Sequence, residues 1–150
     1  MKQKIQAIDQ HLINFFKRIA PYSLHIAIAI VYIWFGWLKV IELSPATPLV
    51  EALHHNTLVE TFDFARFMVF FGIFEVIIGA LFLIRGAERI VIPLLVIHMV
   101  TTMMPLFILP HVVWQSAFVP TLEGQYILKN IVIIAAAIAI AGNLHPMKKI

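Results

Sequence analysis

Three titratable side chains stand alone in stretches that are otherwise apolar: Lys39 in "WFGWLKVIEL", Glu75 in "FGIFEVIIG" and His98 in "LLVIHMVTTMMP". An ammonium, a carboxylate and an imidazole are the groups that relay protons and hold an oxygen atom or an anion. In hydrocarbon a charge costs at least about 2.5 kcal/mol, so such groups are expected to face inward and toward one another. Each pairing also has a purely structural use, as a device that fixes helix register. His98, Thr101, Thr102 and Pro105 follow the spacing i, i+3, i+4, i+7 and make one polar face. Its hydroxyls either satisfy carbonyls freed by the proline or line a pocket. Lys129 in "GQYILKNIVII" lies about one turn inside a fourth apolar stretch. Side chains lean toward a helix N-terminus, which tilts Lys39 toward Glu75 and aims Lys129 outward toward Glu42 or Glu123. The candidate ligand-binding set is therefore Lys39, Glu75, His98, Thr102 and Lys129, with Glu42, Glu123, Gln125 and Asn130 gathered at an outer mouth.

The elements that must position these groups are transmembrane helices. The chain has 150 residues, 61% of them hydrophobic and 13% charged, and a mean hydropathy of +0.93, far from the composition of a soluble domain. Four stretches are long enough to cross roughly 30 Å of hydrocarbon, at about 22–43, 64–84, 88–109 and 125–142. The expected fold is one all-α domain, a four-helix membrane bundle. Ahead of the first span, Ile5, Ile8, Leu12, Phe15 and Phe16 are spaced for one helical face, with Lys17 and Arg18 closing it. This stretch is expected to lie along the membrane surface. Lys2, Lys4, Lys17, Arg18, Arg85, Arg89, Lys148 and Lys149 all fall on one side of a four-span chain. The positive-inside rule then makes both termini of this multi-pass protein cytoplasmic. The first outer loop, with Leu49, Val50, Leu53 and Leu58, could dip back as a short interfacial helix. Trp114 and Phe118 suit a cap at the second loop.

Several chemistries are set aside. The net charge of +3 sits mainly at helix ends and reads as topology, not as a nucleic-acid footprint. With no cysteine there is no thiolate metal site and no CxxC redox motif. Met99, Met103 and Met104 with His98 and His111 form a set that suits copper, but methionine in a transmembrane helix more often packs, and no metal site is assigned. His54-His55 is an adjacent pair in the first outer loop, expected to be solvated.

The order "IAIVYIWFGWLKVIELSPATPLVEAL", "FGIFEVIIGALFLI", a proline-bearing third span and "FVPTLEGQYILKNIVIIAAAIAIAG" resembles the DoxX-like membrane proteins, most closely the YkgB branch that includes the reactive-chlorine-resistance membrane proteins. The resemblance covers about 22–142 and is carried by Gly36 with Lys39, Glu75 with Gly79, and the "EGQYILKN" that leads into the fourth span. It implies a four-helix inner-membrane protein associated with redox chemistry or oxidative stress. The functions to weigh are a polar pocket that binds a quinone or another small molecule, a non-enzymatic subunit or scaffold docked to a membrane or redox partner protein, and a small-solute permease acting as a homo-oligomer.

Overall fold

The computed structural model describes residues 2–57, 63–144 and 146. Lys148 and Lys149, counted above for orientation, and Leu58 of the first loop lie outside the described residues. Helices dominate: α1 (Lys2–Val40), α2 (Thr47–Thr57), α3 (Phe64–Phe82), α4 (Glu88–Met103), α5 (Pro105–Ile108), α6 (Pro110–Val113), α7 (Leu122–Leu128) and α8 (Asn130–Gly142). A small hairpin, β1 (Trp114–Ser116) and β2 (Val119–Pro120), precedes α7. Among the described residues, four helical stretches are long and apolar enough to cross a bilayer: Lys2–Val40, Phe64–Phe82, Glu88–Ile108 and Leu122–Gly142. The protein is an all-α membrane protein. Large apolar side chains such as Trp34, Phe70, Ile97 and Val132 face outward, as lipid solvation allows.

The amphipathic stretch expected ahead of the first span is helical and runs into that span without a break, through Pro21, as one helix of 39 residues. At 1.5 Å per residue it is about 58 Å long, nearly twice the hydrocarbon thickness. Its first half projects from the bundle, with Ile5, Ile8, Leu12, Phe15 and Phe16 exposed. Two polar contacts tie the following turns to the α3–α4 connection: Arg85 donates to the Tyr22 hydroxyl at 2.8 Å, and His25 lies 3.6 Å from Glu88.

The spans close into a ring in which α1 touches α3, α3 touches α4, α4 touches α8, and α8 returns to α1. In the half nearer the termini the centre is closely packed. Ile78, Phe82, Val91 and Leu95 are at most 2% exposed there and belong to one core cluster. The α1–α3 seam is tighter still, because Gly36 and Gly72 face one another. A Cβ built on either would stand 2.6 Å from the other's carbonyl oxygen. Small residues permit this backbone approach, which gives α1 and α3 the most extensive contact in the bundle.

The opposite end is built from turns and short helices. Glu42 adopts φ +60°, and Leu43 N–H donates to Leu38 C=O at 2.9 Å, the pattern of a left-handed helix exit. Ser44 then forms the turn that leads into α2, its hydroxyl accepting from Ala46 N–H and its carbonyl from Thr47 N–H. The third span breaks at Met104, where Pro105 opens α5. Thr101 and Thr102 turn their hydroxyls onto the carbonyls of His98 and Met99, at 2.7 and 3.2 Å. Thr121 caps α7, accepting from Gly124 N–H, and donates to Val112 C=O. That pins the start of the fourth span against α6.

Candidate functional site

Lys39, Glu75 and His98 meet in the interior. Lys39 Nζ donates to Glu75 Oε2 at 2.5 Å, and His98 Nε2 lies 2.9 Å from Glu75 Oε1. All three residues are buried. The spacing that brings them together is set by helix packing: Lys39 lies three residues past Gly36, and Glu75 three past Gly72, at the closest point of the α1–α3 seam. An ionised carboxylate can only accept, so His98 presents an N–H at Nε2. Its Nδ1 is 3.0 Å from the Tyr32 hydroxyl, which donates to it when the ring is neutral. The result is a continuous chain from Tyr32 through His98 and Glu75 to Lys39. Phe71 packs over it, stacked on His98 at 5.0 Å between ring centroids and with Lys39 Nζ 5.6 Å from its own.

This chain forms the floor of a cavity of about 390 Å³, a size that suits a small organic ligand. Its walls are largely aromatic, with Phe35, Phe67, Phe71, Phe74 and Tyr126. Thr101, Thr102 and Pro105 contribute from the third span, Lys129 and Asn130 from the fourth. The roof is α2, through Leu49, Val50, Leu53, His54 and Thr57.

Of the expected set, Lys39, Glu75, His98, Thr102, Lys129 and Asn130 line this cavity; Glu42, Glu123 and Gln125 do not. Glu42 is exposed because it is the left-handed residue that ends α1. Glu123 is exposed in the first turn of α7, where the helix dipole favours an acid. Neither forms an ion pair with Lys129 among the described residues. That cation instead sits 3.5 Å from the Tyr126 ring centroid and 5.3 Å from that of Phe35, an aromatic setting that attracts an ammonium without a carboxylate. The loop that was expected to cap the cavity does not. Trp114 is tied by its indole N–H to Leu106 C=O at 3.2 Å, and Phe118, φ +61°, projects from the hairpin at 94% exposure. Of the methionines and histidines considered for copper, His98, Met99 and Met104 line the cavity, whereas Met103 borders a second cluster and His111 is exposed. His98 already uses both ring nitrogens.

Two cavity residues were missed. Tyr32 lies seven residues before Lys39, hence on the same face of α1, and that spacing was the available signal. His54, expected in solvent, is only 5% exposed. It follows Val50 by four residues and precedes Thr57 by three, so the lid helix turns all three the same way.

No protein-family model matches the chain, and no curated protein or solved structure matches it either. Function must be read from the chemistry of the site.

Proposed function

We propose that this is a small membrane protein of DoxX-like type, set in redox or oxidative-stress chemistry, whose cavity binds a quinone or a similar small molecule. The observation that carries this reading is the buried Tyr32–His98–Glu75–Lys39 chain, placed at the bottom of an aromatic cavity and not sealed in the core. Aromatic walls suit a flat ring, Lys39 keeps spare N–H donors for an oxygen, and the tyrosine–imidazole–carboxylate sequence can move a proton to or from a bound molecule. In this reading a redox partner protein supplies the electrons for such a ligand. A permease is less well supported, because the close packing of Ile78, Phe82, Val91 and Leu95 closes the half of the bundle beyond the site.

The test is purification in mild detergent followed by lipid extraction, with the wild type compared against the double variant Lys39→Met/Glu75→Gln, which removes both charges together. Quinone is expected at a near-stoichiometric level with the wild type and at background with the double variant. Equal recovery from both would remove this reading and favour the subunit or scaffold alternative.

The same reading places the protein in the bacterial inner membrane with both termini cytoplasmic and the α2 lid outside. With no native cysteine to interfere, Thr57→Cys should react with a membrane-impermeant maleimide added to intact spheroplasts. Labelling only after lysis would reverse the orientation.

A further inference from the structure

Among the described residues, the buried side-chain polar atoms without a hydrogen-bond partner are His25 Nε2 and both ring nitrogens of His54. His25 Nε2 at least lies 3.6 Å from a carboxylate, that of Glu88. His54 is packed among rings: Phe67, Phe64 and His55, at centroid distances of 5.2, 5.5 and 6.0 Å. A buried imidazole with both nitrogens unsatisfied is costly, whereas leucine or phenylalanine would pack in the same place without that cost. Yet the residue belongs to the cavity lining. Its unmet hydrogen-bonding capacity therefore lies beside that cavity, within reach of a ligand once the ring turns toward it.

The cavity supplies a ruler for that ligand. His54 sits at the level of Phe67, while the floor is at the level of Glu75. Phe67, Phe71 and Glu75 are spaced four residues apart on α3, so the two levels are about 12 Å apart along the helix axis. Phe67 and Phe71, stacked at 5.7 Å and 11°, line the cavity between them. Two oxygens on opposite sides of a six-membered ring are roughly 5 Å apart, and a hydrogen bond of about 2.8 Å at each end extends the reach to about 11 Å. We infer that His54 is the second anchor of the ligand: the cavity takes a flat, largely apolar ring with an oxygen at each end, one held by Lys39 at the floor and the other by His54 under the α2 lid. This rests on the ring-binding reading above and adds to it a residue and a binding mode.

Two probes separate the inference from that reading: a decyl-substituted 1,4-benzoquinone, with an oxygen at both ends, and the corresponding decyl-substituted phenol, with one. Dissociation constants are measured by calorimetric titration into protein-filled and empty nanodiscs. His54→Phe is expected to weaken the quinone about tenfold and to change the phenol by less than about twofold, the loss being that of one hydrogen bond. His54→Gln keeps a donor and an acceptor and should return the quinone to within about threefold of wild type. Should His54→Phe fail to fold, His54→Leu serves the same comparison. If the apolar variants bind both probes as the wild type does, His54 is not an anchor, though the pocket stands. If they lose both probes equally, its role is packing alone. If the wild type binds neither probe, the ring-binding reading falls and this inference with it.

Discussion

Lys39→Met is expected to destabilise the folded protein by about 3–5 kcal/mol, because it leaves the Glu75 carboxylate buried beside a neutral side chain. Glu75→Gln should be costly in the same way, since it strands the ammonium. The double variant Lys39→Met/Glu75→Gln should recover most of either loss. Gln still offers an oxygen to His98, and Met fills the volume that the lysine stem occupied. Thermal unfolding of the purified variants in one detergent checks this, with stability expected in the order wild type, double variant, single variants. Additive losses in the double variant would mean that the two side chains act independently and that the 2.5 Å contact is not the unit of stability. The membrane interior sharpens the expectation, because an uncompensated charge is costly at that depth. The double variant also separates fold from site. A protein that regains stability yet binds no ligand has these charges for binding.

The inner trio was legible in the sequence for a plain physical reason. Lys39, Glu75 and His98 each interrupt an apolar run, and a lone charge in hydrocarbon has few solutions other than another such charge at similar depth. The mouth was misread because the same counting was applied where it has no force. Near the membrane surface a carboxylate can be solvated, so Glu42 and Glu123 had no need of Lys129, and local backbone geometry decided their places: a left-handed helix exit for one and a helix first turn for the other. His54 was illegible for the opposite reason. The first outer loop was expected to dip back as a short interfacial helix, but its histidine pair was left to water, and the helical spacing of Val50, Leu53, His54 and Thr57 on α2 puts His54 under a lid. Tyr32 carried no warning in its type, since tyrosine packs readily along a helix. Its role came from a hydrogen bond to a residue 66 positions away.

The second large effect is expected at Gly36. A single added methyl group there would stand 2.6 Å from the Gly72 carbonyl oxygen, 2.8 Å from Glu75 Cβ and 2.9 Å from Val76 N. None of these is the movable tip of a flexible side chain, so α1 and α3 would have to move apart. Overpacking of this kind typically costs about 1–3 kcal/mol, and the upper end is expected because backbone meets backbone. Gly142→Ala is the control: it adds the same methyl where nothing among the described residues lies within 4 Å and should leave stability within about 0.5 kcal/mol of wild type. The consequence for the site is sharper than the loss of stability. Lys39 and Glu75 stand three residues beyond the two glycines, and a Cβ on Gly72 would likewise come within 2.9 Å of Lys39 Cβ. Separating the helices therefore separates the ion pair that forms the cavity floor, so Gly36→Ala should lose ligand affinity even at a temperature where it remains folded. Thermal unfolding and titration with the decyl-substituted benzoquinone on the same preparation read both effects. A Gly36→Ala protein with wild-type stability and affinity would mean that α1 and α3 do not meet backbone to backbone, and the floor of the cavity would then need another explanation for its geometry.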